Sequence, residues 1–237
     1  MKILGIDTSG NTASAAVCEN GVILAESSFA TRLTHSQVIL PLAKEVLSCA
    51  ETELSEIGLL VCAAGPGSYT GLRIGISAVK ALSFGLGDVP CCGVSTLEAL
   101  AYSCAVCGEI VCAVMKARAD LVYCAFFDCS DRAFPKRLTE DKVISADEAV
   151  ALAAGMNVPV MFTGDAVDGM SERISERLEN YAFAPVFMRT PRASALCFCG
   201  ENSPKMSAEE LMPQYLQITK AEKDLQEQKS DGNISRK

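Results

Sequence analysis

The apolar positions of this chain fall into two rounds of one pattern. Residues 2–8 and 13–18 are short apolar runs, and 22–29 forms a third after Asn20-Gly21. Both residues of that pair tolerate positive φ, the signature of a two-residue hairpin turn, so the chain opens as a three-stranded antiparallel meander. Val38, Ile39, Leu42, Val46 and Leu47 then recur at helical spacing within 33–50. Pro41 lies inside that stretch and predicts a kink or a helix start beside it. An unbroken apolar strand over 59–64 runs into Gly65-Pro66-Gly67-Ser68. A helix over 70–85 and a strand over 89–94 follow. Ser95 and Glu98 make a capping box for a helix reaching about residue 103.

The second round begins with 110–116 and 121–128, which alternate as a hairpin. Ser145 and Glu148 cap a helix to residue 154. A strand over 158–163, a helix over 168–180, a strand over 185–188 and a helix over 192–199 complete it. Hairpin, helix, strand, helix thus recurs without visible sequence repetition. The division expected is a first lobe over 1–105, a second over 106–218 and a polar tail over 219–237.

Composition narrows the picture. The chain has 237 residues, 49% hydrophobic and 21% charged, with a formal net charge of -8. That is a globular composition. An acidic chain without a basic window is a poor independent ligand for a phosphate backbone. Any work on RNA is expected to run through a partner. No stretch approaches the ~20 apolar residues that span a bilayer. Met1 to Asp7 breaks its apolar run with an acid, unlike a signal peptide. A cytoplasmic, non-membrane location is expected. Most of the twelve cysteines sit in apolar runs and read as small buried hydrophobes in a reducing compartment. Cys104-Ala-Val-Cys107 is a lone pair, where a zinc site wants a second pair or histidines.

Three motifs could carry chemistry. Asp7-Thr8-Ser9 closes the first strand. An acid and two hydroxyls there can organise a hydrated cation or face a phosphate, or simply form an Asx turn. Gly65-Pro66-Gly67-Ser68-Tyr69-Thr70-Gly71-Leu72-Arg73 precedes a helix, where amide groups can hold an anion. It lacks the lysine of a P-loop and the spacing of a dinucleotide fingerprint. Asp7, Thr8, Ser9, Gly65 and Gly67 are therefore the candidate cofactor residues. Gly71 and Gly75 lie four apart and allow another helix to approach. His35, the one histidine, has Val38 and Ile39 where a second metal ligand would sit. No catalytic or metal-binding residue and no cofactor is assigned.

These motifs, with Leu40-Pro41 and Val94-Ser95-Thr96-Leu97-Glu98-Ala99-Leu100, stand in the order and spacing of the TsaB (YeaZ) family, which the chain resembles. Ala117-Arg118, Val122-Tyr123, Pro213-Gln214-Tyr215-Leu216 and Ala221-Glu222 extend the resemblance to about residue 223. It implies an α/β, actin-like (ASKHA) fold with two RNase H-like lobes. It also implies a non-catalytic subunit for threonylcarbamoylation of adenosine 37 in tRNAs reading ANN codons. That subunit would pair with the catalytic paralogue TsaD, work with the ATPase TsaE, self-pair as a dimer when alone, and meet tRNA only through the complex. The paralogue's metal is held by two histidines on the helix matching 35–47, where this chain keeps only His35. Gln37 replaces the family's Glu, Gln217 its Arg, and Lys116-Ala117-Arg118-Ala119 stands for Asp-Ala-Arg-Gly.

The helices over 35–49 and 70–85 would then present His35, Val38, Ile39, Leu42, Gly71, Gly75, Ala78 and Leu82 to the partner. The alternative is an autonomous enzyme of the same fold, an ATPase, sugar kinase or glycopeptidase using Asp7.

Overall fold

The computed structural model describes residues 1–31 and 33–217. The tail expected over 219–237, and Ala221-Glu222 within it, lie outside the described residues. The meander forms as expected: β1 (Lys2–Asp7), β2 (Ala13–Glu19) and β3 (Val22–Phe29) pair antiparallel in order. Asn20 and Gly21 take φ of 49° and 77° at the turn between β2 and β3. Next come α1 (His35–Cys49), β4 (Ile57–Gly65), α2 (Tyr69–Gly85), β5 (Cys91–Ser95) and α3 (Thr96–Cys104). β4 and β5 join β1 in parallel, giving a five-stranded sheet in the order β3-β2-β1-β4-β5. A parallel central strand is covered on both faces. Accordingly β4, Ile-Gly-Leu-Leu-Val-Cys-Ala-Ala-Gly, is buried along almost its whole length.

The second sheet repeats that order. β6 (Ile110–Lys116) and β7 (Leu121–Asp128) form an antiparallel hairpin. β10 (Val160–Thr163) and β11 (Tyr181–Phe183) add in parallel beside β6. The short strands β8 (Lys136–Arg137) and β9 (Lys142–Ser145) both pair with β7. The helices are α4 (Ala146–Ala154), α5 (Val167–Arg177) and α6 (Ala193–Glu201).

The packing is layered. α1 and α2 bury Ile39, Leu42, Val46 and Val79 against Leu4, Ile6 and Leu60 of the first sheet. Its other face takes Leu196 and Cys197 of α6. Leu97 and Leu100 of α3 pack on Val111, Ala113 and Phe127 of the second sheet. α4 and α5 close that sheet's far face through Val150, Met170 and Ile174. α6 follows the second sheet in sequence yet packs on the first. The Ser14 hydroxyl accepts the Ala193 N–H at 3.1 Å, and a Cβ on Gly5 would lie 2.6 Å from the Ala193 carbonyl oxygen.

Two expectations are corrected. The strand expected over 185–188 lies instead at Tyr181–Phe183, and Val186–Met188 is a 3-10 turn. Pro185 brings no N–H to a ladder, while Tyr181 to Phe183 align with Val160 to Phe162. Of the two expectations for Pro41 the helix start is the one overturned: α1 begins at His35 and Pro41 sits inside it on its exposed side. Among the described residues no helix is long and apolar enough to cross a membrane. All twelve cysteines are free and most are buried. Burial raises the Cys129 thiol to about 12, so it stays protonated and inert.

Candidate functional site

The strand ends of the two sheets meet at a cleft. The end of β1 is held under the N-terminus of α2 by hydrogen bonds and by missing side chains. The Ser68 N–H donates to the Ser9 carbonyl at 2.8 Å, and the Thr8 hydroxyl donates to the Gly71 carbonyl at 2.7 Å. Ser68 caps α2 by accepting the Gly71 N–H at 3.2 Å. A Cβ at Gly71 would run into the Thr8 carbonyl oxygen. One at Gly75 would lie 2.5 Å from the Thr8 hydroxyl, and one at Gly67 2.5 Å from the Ser9 carbonyl. The bare faces of Gly71 and Gly75 are thus filled by the chain's own β1 end, not by another helix. Gly65 has φ of 130°, and the C-terminal segment crosses it, with the Gln214 N–H donating to the Ala64 carbonyl at 2.7 Å.

This packing seals Asp7, Thr8 and Ser9, which are 0%, 2% and 1% exposed. Asp7 Oδ1 accepts the Ser9 N–H at 3.1 Å, while Oδ2 has no partner among the described residues. Burial pushes the Asp7 carboxyl from 3.8 up to about 6, against the pull of its hydrogen bonds with Ser9 and Thr8.

The open cleft, about 390 Å³, is lined by Ser9, Gly10 and Asn11, Gly67 and Ser68, and Lys116, Arg118, Tyr123 and Asp165 across from them. Asp7 does not line it. The Asp165 carboxylate accepts the Lys116 N–H at 2.8 Å, so part of it serves the β6–β7 turn. Among the described residues no group of three or more His, Cys, Asp or Glu could hold a metal ion. A divalent cation wants several oxygen ligands. The sealed Asp7 and the Lys116 ammonium do not fit one in the cleft.

The candidate cofactor residues therefore come together, as one rigid unit, with only Ser9 and Gly67 reaching the cleft wall. The candidate interface residues divide. Ile39, Leu42, Gly71, Gly75 and Ala78 are buried in the chain's own core. On or beside the same two helices, Leu33, Leu40 and Phe84 are exposed at 57%, 50% and 53%. His35, Val38 and Leu82 are half-buried. Leu40, Leu82, Leu47 and Leu54 line an apolar groove of about 480 Å³ between α1, α2 and the turn over 52–54. His35 opens α1, where Gln37 keeps the capping box by accepting the Thr34 N–H at 3.1 Å. The Glu-to-Gln departure thus costs the cap nothing.

Tyr69 and Arg73 lie in the Gly65–Arg73 motif and Lys116 and Arg118 in the departing Lys116–Ala119 run, but the sequence assigns none of them to a site, nor Tyr215 or Asp165. Tyr215 and Asp165 reach the site through contacts with Arg73 and Lys116, 142 and 49 residues away.

Two sheets of matching strand order, each opening on an antiparallel hairpin and facing a shared cleft, define an actin-like fold. It is shared with a ROK hexokinase from Thermus thermophilus, at a TM-score of 0.50 and 11% identity over 85% of this chain and 98% of that one. A Pseudomonas aeruginosa protein described as similar to peptidase YEAZ superposes far better, at a TM-score of 0.78 and 26% identity over 91% and 99%. The tRNA threonylcarbamoyladenosine biosynthesis protein TsaB of Bacillus subtilis is 29% identical over 223 residues, 94% of this chain and 96% of its own. Residues 27–225 match the family model TsaD: tRNA N6-adenosine threonylcarbamoyltransferase. The chain belongs to this family, in its TsaB (YeaZ) branch.

Proposed function

We propose that the chain is a non-catalytic subunit of the machinery that makes threonylcarbamoyladenosine at position 37 of tRNA. It works by pairing with a TsaD-type transferase and with the ATPase TsaE. The observation that carries this reading is the sealing of Asp7. The acid that an enzyme of this fold would use is fully buried under Gly67 and Gly71, and the facing hairpin presents Lys116. His35 stands alone on α1, half-buried and with its pKa lowered by burial, without a second ligand or a nucleophile.

The docking surface is the apolar groove that Leu40, Leu47, Leu54 and Leu82 line, with the exposed side chain of Leu40 at its rim. Its partner is the equivalent helix pair of the transferase, which shares the fold. Without that partner the surface pairs with its own copy about a two-fold axis. The division into lobes at residues 105 and 218 belongs to the same reading, with α6 bracing the first sheet.

The experiment is reconstitution of the modification on tRNA from purified transferase and TsaE with and without this chain. Product formed only when the chain is present is the expected result. Turnover by the chain alone, lost on Asp7→Ala, would restore the autonomous enzyme.

A further inference from the structure

We propose that a groove running from the cleft to the first turn of α2 binds single-stranded RNA, giving this chain its own hold on the tRNA within the complex. The proposal rests on the assignment to tRNA modification above and names the surface through which this subunit would meet the substrate.

The cleft continues into a second cavity of about 190 Å³. The two share Gly67, Arg118, Tyr123 and Gln217 as a common wall. Three of the five tyrosines gather along it. Tyr123 lies on the shared wall, and Tyr69 and Tyr215 stack with ring centroids 4.6 Å apart. The Arg73 guanidinium lies 4.1 Å from the Tyr69 ring centre and donates to the Tyr215 hydroxyl at 2.9 Å. Aromatic faces beside cations are what binds unpaired bases and their phosphates without regard to sequence.

Arg137, Arg173, Arg177, Arg189 and Arg192 each meet a carboxylate. Arg73, Lys116 and Arg118 meet none within 4.0 Å among the described residues. Lys116 and Arg118 thus line the groove with Asp165 as its carboxylate, and Arg73 stands beside the tyrosines at the amide end of a helix. The total charge disfavours independent RNA binding, but it does not prevent a local contact once a partner supplies the rest.

The donor set also separates a strand of RNA from a free nucleoside triphosphate. A triphosphate comes with a divalent cation and wants several carboxylates, whereas the cleft wall carries Asp165 alone among its described lining residues and Asp7 is sealed away. A phosphodiester carries one negative charge and needs only one cation opposite it.

The test uses the chain assembled with its transferase. Binding of a fluorescent anticodon stem-loop is measured across a salt series for the wild type and for Lys116→Gln/Arg118→Gln. The expected result is affinity lowered about tenfold and a salt slope smaller by about 1.4, from two lost contacts at roughly 0.7 each. Assembly and melting temperature stay unchanged. Unaltered affinity and slope in an intact complex would overturn the proposal. So would ATP binding in the groove that the double variant abolishes while RNA binding persists.

Cross-linking of 4-thiouridine RNA to the assembled complex locates the contact directly. An adduct on the Tyr123 or Tyr215 peptide is expected, and adducts of this chain only elsewhere, or none on it, would count against the groove. A wild-type complex that binds RNA through the groove without modifying tRNA would instead sink the assignment to tRNA modification.

Discussion

The two hairpins that face the cleft share a topology and differ in chemistry. Between β1 and β2 the chain carries Asp7, Thr8 and Ser9 inward, and the glycines of the next crossover close over them. Between β6 and β7 the equivalent turn stays open, exposes Lys116 and Arg118, and places Ala119 at φ of 57°, a conformation that suits glycine. One hairpin buries its acid, and the other carries Lys116 and Ala119 at the positions where the resemblance implies an acid and a glycine. Asp165 is the carboxylate on the cleft wall, beside Lys116 and Arg118. What remains is a rigid wall with a positive edge.

The largest effect that tests this contrast is Gly71→Ala. The new methyl has no room against the Thr8 backbone, so about 4 kcal/mol of stability should be lost. A thermal melt measures it, and an unchanged melting temperature would mean the first hairpin is not sealed.

Asp7→Asn should act in the opposite direction. Because the carboxyl is raised in the folded state, folding takes up a proton between pH 3.8 and about 6, and stability falls as pH rises through that window. About 3 kcal/mol is lost above it. The variant removes that loss, less the cost of an unpaired amide. It should therefore exceed the wild type by about 1–2 kcal/mol at pH 7.5, and that advantage should disappear below pH 4. Denaturant titrations at the two pH values decide it.

Leu40→Asp leaves both hairpins intact while charging the rim of the apolar groove. Affinity for the transferase should fall at least about thirtyfold, near 2 kcal/mol. Unchanged co-purification would move the interface elsewhere. The smallest effect belongs to the second hairpin: Ala119→Gly should gain about 0.5–1 kcal/mol, because glycine relieves the left-handed strain.

Local features were legible in the sequence and tertiary ones were not. Asn20-Gly21, the caps at Ser95 and Ser145 and the strand pair 110–116 and 121–128 are fixed by near neighbours, and they stand where the pattern put them. The helical spacing of Val38, Ile39 and Leu42 identified a stripe but carried no sign of which side faced the sheet. β8, β9 and β11 are two to four residues long and exist only through their partners β7 and β10. Gly71 and Gly75 announced a close approach without naming what approached, because Thr8 lies 63 residues before Gly71. The sealing of Asp7 was invisible for the same reason.

The most direct measurement is threonylcarbamoyladenosine formation in the reconstituted system with Asp7→Asn in place of the wild-type chain. Product should form at the wild-type rate, since a sealed carboxylate touches no reactant. A hundredfold loss with assembly intact would show that Asp7 takes part in the chemistry and that the chain is an enzyme in its own right.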